Sequence, residues 1–193
     1  FEQSAPFAKE YLVLEEQDEL CQRLGVRWMR CPGHSQSDIV YILGKAAFTG
    51  DVLLREIFQT PLLDVEMETM ERRFCNYKAY CGTILKLKTL EGMELYPSHK
   101  EYVDSIDERI TWYVEKILDR AAAVAPLLEK GASIRDIVIK LFQGEPLKPF
   151  TMFIKISEIT FLRDFLADPA PLAEAMRQAG LYDKTAEKFK LLA

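Results

Sequence analysis

The chain has 193 residues, of which 49% are apolar and 28% are charged, and its formal net charge is −5. A chain of this size can bury a core as one globular domain, or as one domain with a helical extension. The acidic balance leaves no basic stripe to neutralise a phosphate backbone, and no apolar run approaches the roughly 18 to 20 residues that span a bilayer. We therefore predict a cytoplasmic protein with neither a nucleic-acid partner nor a membrane partner.

The first half of the chain is predicted to form a small sheet flanked by helices. A helical pattern over residues 6–24 ends at Gly25, a residue that often terminates helices. The connection Gly44-Lys45 is so short that the strands on either side should form an antiparallel hairpin. Apolar residues at helical spacing over 66–90 predict one long helix or two in sequence. The predicted strands cover 26–31, 37–43, 46–49 and 93–96.

Beyond residue 102 the pattern is almost entirely helical. A capping sequence at Ser133 marks the start of the second of these helices, and the mixed charges of 183–190 indicate a solvated tail. We therefore divide the chain into a strand-bearing unit, residues 1–102, and a helical extension or cap, residues 103–193. The predicted helices cover 106–125, 133–142, 150–166 and 171–179.

Three of the predicted strands end in a residue that can bind a metal ion. The chain has two histidines, His34 and His99, and each follows a strand in a Pro-x-His turn, while Asp51 follows the third strand. A rigid turn at a strand end aims a side chain outward, as a metal ligand requires. A single histidine in a loop is more often an ordinary surface residue. The repeated context, with Asp51 between the two histidines, favours the metal-ligand interpretation.

These turns resemble the third, fourth and fifth metal motifs of the metallo-β-lactamase superfamily, which read PGH[ST], FxGD and xPGH. The matching segments are CPGHS at 31–35, FTGD at 48–51 and YPSH at 96–99, and the resemblance covers about residues 25–102. It implies an α/β fold, namely the C-terminal half of the metallo-β-lactamase αββα sandwich followed by a helical extension. It also implies that His34 binds one metal ion, that His99 binds a second, and that Asp51 bridges both.

The sequence departs from this pattern in three places. Cys31 stands where the superfamily commonly has Thr, and Ser98 stands where Gly is usual. The signature HxHxDH, which supplies two ligands to each metal in the superfamily, is absent from these 193 residues. Each ion would then receive only two protein ligands from this chain, fewer than the three or more that tight binding needs.

The missing ligands imply a partner. We expect a chain or segment with HxHxDH, the N-terminal half of the fold, which is a separate polypeptide, a cleaved piece or an omitted segment. A single sheet of a sandwich would expose an apolar face, and such a face requires cover. We predict an obligate hetero-oligomer whose interface includes Trp28, Ile39, Tyr41 and Leu43. Split two-subunit enzymes of the superfamily, such as those of the dinitroanisole O-demethylase type, are one precedent.

The resemblance implies a metal-dependent hydrolase with two divalent ions, zinc first and iron or manganese as alternatives. Its substrate would be a small ester, thioester, lactone or activated aryl ether, attacked by a metal-bound hydroxide at a centre in which Asp51 is the catalytic bridging residue. An alternative is a non-catalytic structural subunit of the same fold. Aromatic residues at helical spacing are more often core than pocket. Four residues of the helical extension are nevertheless candidates for the substrate pocket: Phe142, Phe150, Met152 and Phe153.

Overall fold

The first half of the chain contains a mixed four-stranded sheet. In sheet order, its strands are β1 (Val26–Arg30), β2 (Ile39–Leu43), β3 (Ala46–Gly50) and β4 (Glu94–Pro97). The fold is seen in a computed structural model that describes residues 18–99, 101–144 and 146–192. β1 and β2 pair antiparallel, as do β2 and β3, whereas β3 and β4 pair parallel. The predicted hairpin across Gly44-Lys45 is therefore confirmed.

The pairing makes β1, β3 and β4 run in the same direction. β1 is antiparallel to β2, and β2 is antiparallel to β3, so β1 and β3 point the same way, and β4 is parallel to β3. The carboxyl ends of these three strands consequently open onto the same edge of the sheet. Strand ends of this kind are where α/β folds commonly place their functional loops.

One face of the sheet is buried and the other is rich in exposed aromatic residues. Val40, Ile42, Ala47 and Leu95 lie on the buried face and belong to the core. The register aligns residues on the opposite face into one row, which we call the aromatic row: Trp28, Tyr41, Phe48 and Tyr96. Tyr41 and Phe48 are 42% and 45% exposed, and the Phe48 and Tyr96 rings stack with centroids 5.4 Å apart.

The second half of the chain is helical, as predicted, and packs on the sheet through a shared core. The helices are α1 (Asp18–Arg23), α2 (Asn76–Lys88), α3 (Ile106–Glu129), α4 (Ile134–Leu141), α5 (Pro149–Ala167), α6 (Ala170–Gln178) and α7 (Tyr182–Lys190). α3 contacts α5 and α7, while α2 contacts α3, α5 and α6. One buried cluster runs from Cys31, next to β1, to Phe189 in the last helix.

Local sequence signals explain where several helices begin. The hydroxyl of Ser105 accepts a hydrogen bond from the backbone N–H of Glu108 and caps α3. Ser133 caps α4 in the same way by accepting from the N–H of Asp136, which confirms the predicted capping sequence. The predicted N-terminal helix is seen as α1, and its residues 6–17 lie outside the described residues. None of the helices within the described ranges is long and apolar enough to cross a membrane.

Two predicted elements differ from the structure. Residues 66–75 are a loop rather than the first part of a helix, because Val65 and Arg73 pair as an antiparallel bridge that closes it. Met67 and Met70, whose spacing suggested a helix, are exposed in that loop. The charged tail at 183–190 is instead most of α7, whose Phe189 side chain is buried in the core. The division of the chain at residues 102 and 103 stays a prediction.

The two faces of β2 should differ sharply in their contribution to stability. We expect Ile42→Ala, on the buried face, to lower the free energy of unfolding by about 2–5 kcal/mol, because it leaves a cavity. Tyr41→Ala, one residue away on the aromatic row, should cost less than about 1 kcal/mol, the scale of a cross-strand pair. Urea unfolding of the dilute chain measures both. Equal losses would mean that the aromatic row is already covered in the isolated chain.

Candidate metal centre

The turns that follow β1, β3 and β4 bring His34, Asp51 and His99 together. Nε2 of His34 lies 3.7 Å from Oδ2 of Asp51, and Nε2 of His99 lies 3.5 Å from Oδ1 of the same carboxylate. Each histidine therefore faces a different oxygen of Asp51. The side chains of His34, Asp51 and His99 are 18%, 34% and 63% exposed, so the cluster opens to solvent on its His99 side.

His34 is held in one orientation by a backbone carbonyl. Its Nδ1 lies 2.7 Å from the carbonyl oxygen of Thr60. A carbonyl can only accept a hydrogen bond, so Nδ1 carries the proton and donates it. In the neutral imidazole this leaves the lone pair on Nε2, the nitrogen that faces Asp51. In metal-binding histidines, a hydrogen bond at the ring nitrogen that does not bind the metal typically fixes the tautomer.

The turn before His34 lies directly against α2. A Cβ added to Gly33 would come within 3.2 Å of Cα and Cβ of Tyr80, so only glycine fits this approach without a shift. The hydroxyl of Thr83 donates to the carbonyl of Pro32 at 2.7 Å. The amide of Asn76 donates to the carbonyl of Gly33 at 3.0 Å. Asn76, Tyr80 and Thr83 lie on one helical face because they are spaced by four and three residues.

Asp51 is positioned by an irregularity at the end of β3. The pairing with β4 shifts register between Phe48 and Gly50, and Gly50 has φ of +55°, a left-handed conformation that favours glycine. The N–H of Ser98 donates to the carbonyl of Gly50 at 3.0 Å, which ties the turns of Asp51 and His99 together. The hydroxyl of Ser98 also donates to Oδ1 of Asp51. The residue that replaces the usual glycine thus contacts the carboxylate directly.

Comparison with known proteins identifies this architecture. No protein-family model and no curated protein matches the chain. Among solved structures, the chain is similar to the crystal structure of a metallo-β-lactamase family protein from Thermus thermophilus, with 17% sequence identity and a TM-score of 0.57. The chain has part of a metallo-β-lactamase fold. The likeness covers 75% of this chain and 44% of the other, so this chain spans less than half the length of that relative. At this identity the similarity shows the fold alone.

The geometry of the cluster fits metal-binding pairs. Two ligand atoms that each lie about 2.0–2.1 Å from a tetrahedral zinc ion are about 3.3–3.4 Å apart. The separations of 3.5 and 3.7 Å exceed that by a few tenths of an ångström. Over residues 18–99, 101–144 and 146–192, no group of three or more His, Cys, Asp or Glu side chains comes together that could hold a metal ion. The described part of the chain therefore presents two pairs that share Asp51, rather than a complete ligand set.

Cys31, beside this turn, is a core residue. Its side chain is fully buried, and burial raises the pKa of the thiol to about 11. A thiol with so high a pKa stays protonated near neutral pH, and only the thiolate is a good nucleophile or metal ligand. Cys31, which stands where the superfamily commonly has threonine, therefore packs in the core and is not a metal ligand or nucleophile.

The four residues predicted to line a substrate pocket have different environments. Phe150 is 73% exposed and Phe153 is also exposed, whereas Phe142 and Met152 pack partly buried against the core. Phe142 lines a cleft of about 380 Å³ between α3, α4 and α5. Phe153 is linked to the loop near His34 through Ser157. The Ser157 hydroxyl donates a hydrogen bond to the Phe153 carbonyl and accepts one from the N–H of Leu63. A role in substrate binding stays a prediction for all four.

The close contact between Gly33 and α2 predicts a large effect of adding one methyl group. Gly33→Ala should lower the free energy of unfolding by about 1–3 kcal/mol, because the new Cβ meets the backbone of Tyr80. Gly82→Ala is the matched control. Gly82 lies in α2 with nothing within 4 Å of an added Cβ, so this change should stabilise the chain by about 0.5–1 kcal/mol. Thermal unfolding of both variants checks the signs, and stabilisation by Gly33→Ala would show that the turn and α2 separate in solution.

Proposed function

We propose that the chain is one part of a metal-dependent hydrolase whose two-metal centre includes His34, Asp51 and His99. The observation that supports this most directly is that each oxygen of Asp51 faces Nε2 of a different histidine. A carboxylate placed in this way suits a bridge between two ions. The remaining ligands would come from a chain or segment with HxHxDH, the N-terminal half of the fold.

Two divalent ions at this position would lower the pKa of a water molecule and polarise the bond under attack. The residues of this chain would hold the ions in position. His34 presents a fixed lone pair, because its Nδ1–H is held by Thr60, and Ser98 restrains the Asp51 carboxylate by a hydrogen bond. Imidazole and carboxylate ligands suit zinc first, with iron or manganese as alternatives.

The substrate class we propose is a small ester, thioester, lactone or activated aryl ether. Such a molecule needs an apolar wall near the metal centre rather than a basic groove, and the net charge of −5 suits a polyanionic substrate poorly. Phe153 is the pocket candidate whose backbone is tied to a loop of the centre, through Ser157 and Leu63. We expect this part of α5 to contribute to the wall.

The partner would dock on the aromatic row. The row, together with the neighbouring Leu43, gives a continuous apolar surface on the uncovered face of the sheet. β3 and β4, which contribute Phe48 and Tyr96, also lead directly into the turns with Asp51 and His99. A second sheet packed on this face would therefore reach the edge where further ligands are needed. We expect an interface above about 2,000 Å², as in obligate hetero-complexes.

Metal content tests the proposed centre. We expect the isolated chain to bind zinc weakly, and the chain purified with an HxHxDH-bearing segment to hold about two ions per pair. His34→Ala and His99→Ala should each remove about one ion, while Asp51→Ala should disturb both, because its two carboxylate oxygens face the two histidines. Elemental analysis of each complex, with hydrolysis of model esters, thioesters, lactones and aryl ethers, measures this.

A carboxylate far from the centre provides the control for these variants. Asp119 lies on α3 and pairs with Lys188 at 2.6 Å, so Asp119→Asn should leave the metal content unchanged. Full metal content in Asp51→Ala would exclude the bridging role. A complex that assembles normally but neither binds metal nor hydrolyses any substrate would instead favour a structural subunit.

Charge on the aromatic row should prevent assembly. We expect Phe48→Asp to abolish copurification with the partner segment and to make the isolated chain more soluble, because it places a carboxylate in an apolar interface. Leu191→Asp is the matched control, since Leu191 is an exposed apolar residue outside the sheet. Size-exclusion chromatography of co-expressed pairs distinguishes the two. Normal assembly of the Phe48→Asp variant would place the interface on another surface.

A further inference from the structure

The loop segment 59–63 connects the helical part of the chain to His34. It has no regular secondary structure, yet its Thr60 carbonyl holds Nδ1 of His34 at 2.7 Å. An irregular segment can fix a neighbouring side chain only if it is itself fixed. Pro61 contributes by restricting the backbone of Thr60 to extended conformations.

Asn76, at the start of α2, binds both sides of this contact. Its side-chain nitrogen donates to the carbonyls of Gly33 at 3.0 Å, His34 at 3.3 Å and Leu62 at 3.1 Å. All three partners are acceptors, so the amide nitrogen must face them. The N–H of Leu62 also donates to the carbonyl of His34 at 2.7 Å. The buried amide of Asn76 thus joins the His34 turn to segment 59–63.

Tyr113, on α3, fixes the other end of the segment. Its hydroxyl donates a hydrogen bond to the carbonyl of Gln59, next to Thr60. The ring is held by Phe58, stacked at 4.8 Å, and by Tyr80 of α2 at 5.0 Å. Burial raises the pKa of Tyr113, so the hydroxyl stays protonated and keeps its donor role. α3 belongs to the predicted helical extension. The extension therefore reaches His34 indirectly, through the Tyr113 side chain and the backbone of segment 59–63.

We propose that Tyr113 and Asn76 are positioning residues for His34, which hold segment 59–63 so that the Thr60 carbonyl selects the Nδ1–H tautomer and directs Nε2 toward Asp51. For metal binding the inference rests on the proposed function, but the tautomer itself does not. The helical extension would then stabilise the ligand geometry, in addition to any contact with substrate.

The chain is well suited to a direct test, because it has only two histidines. Long-range ¹H–¹⁵N spectra of the metal-free chain with ¹⁵N-labelled histidine report which ring nitrogen carries the proton. We expect the Nδ1–H tautomer for His34. His99, which is 63% exposed, provides an internal reference in the same spectrum.

Tyr113→Phe removes one hydroxyl and keeps the ring. We expect the Nε2–H tautomer of His34 to appear in this variant, and to appear more strongly in Asn76→Asp, which replaces the amide donor by an acceptor among three carbonyls. Tyr77→Phe is the matched control. Tyr77 is also buried, and its hydroxyl donates to a backbone carbonyl, that of Asp168 at 2.8 Å, but it lies on α2 with its hydroxyl facing α6. It should lower stability without altering His34.

The outcomes separate this inference from the proposed function. If Tyr113→Phe lowers thermal stability as Tyr77→Phe does but leaves the His34 tautomer unchanged, Tyr113 is merely structural and the inference is wrong. In the complex, Tyr113→Phe should also weaken zinc affinity about 10–100-fold, the usual effect of losing such a supporting contact. A shifted tautomer in a complex that binds no zinc would uphold the positioning role and overturn the metal centre.

Discussion

The contact between α2 and the turn after β1 is the constraint on which the rest of the structure depends. Gly33 lies so close to Tyr80 that no larger residue fits without movement. Thr83 donates a hydrogen bond to the carbonyl of Pro32, and Asn76 donates one to the carbonyl of Gly33. Because these bonds satisfy buried backbone groups, the turn has little freedom to move. His34 therefore leaves the sheet in one direction, toward the edge at which β3 and β4 also end.

The centre is assembled from both halves of the chain. The sheet provides the strand ends that lead into His34, Asp51 and His99, while helices provide the contacts that hold the intervening loop. Ser157 of α5 accepts from the N–H of Leu63, and Tyr113 of α3 donates to the Gln59 carbonyl. Removing the helices would leave these backbone groups without partners and would free the segment that orients His34. In the proposed centre, the helices would therefore support the ligand geometry through this loop.

Local signals in the sequence predicted the sheet and the three cluster residues. Turn residues mark the ends of β1, β3 and β4, and a histidine or aspartate follows each, so the positions of His34, Asp51 and His99 can be read from short segments. Asn76, Thr60 and Tyr113 could not be found in this way, because their hydrogen bonds join residues 14 to 54 positions apart. The same limit explains the loop at 66–75, whose spacing suits a helix but whose ends pair as a bridge.

The exposed sheet face lies directly beside the two ligand pairs that share Asp51. Exposure of the aromatic row to water is unfavourable. Hydrophobic burial would therefore favour a second layer of suitable shape that covers the row. Phe48 and Tyr96 stack within this row, and the chain continues from them within three residues to Asp51 and His99. A layer that covers the row is thereby brought to the edge where each histidine has a single carboxylate oxygen opposite it. In such an arrangement assembly and metal binding would be coupled, since burial of the face would bring the missing ligands into reach.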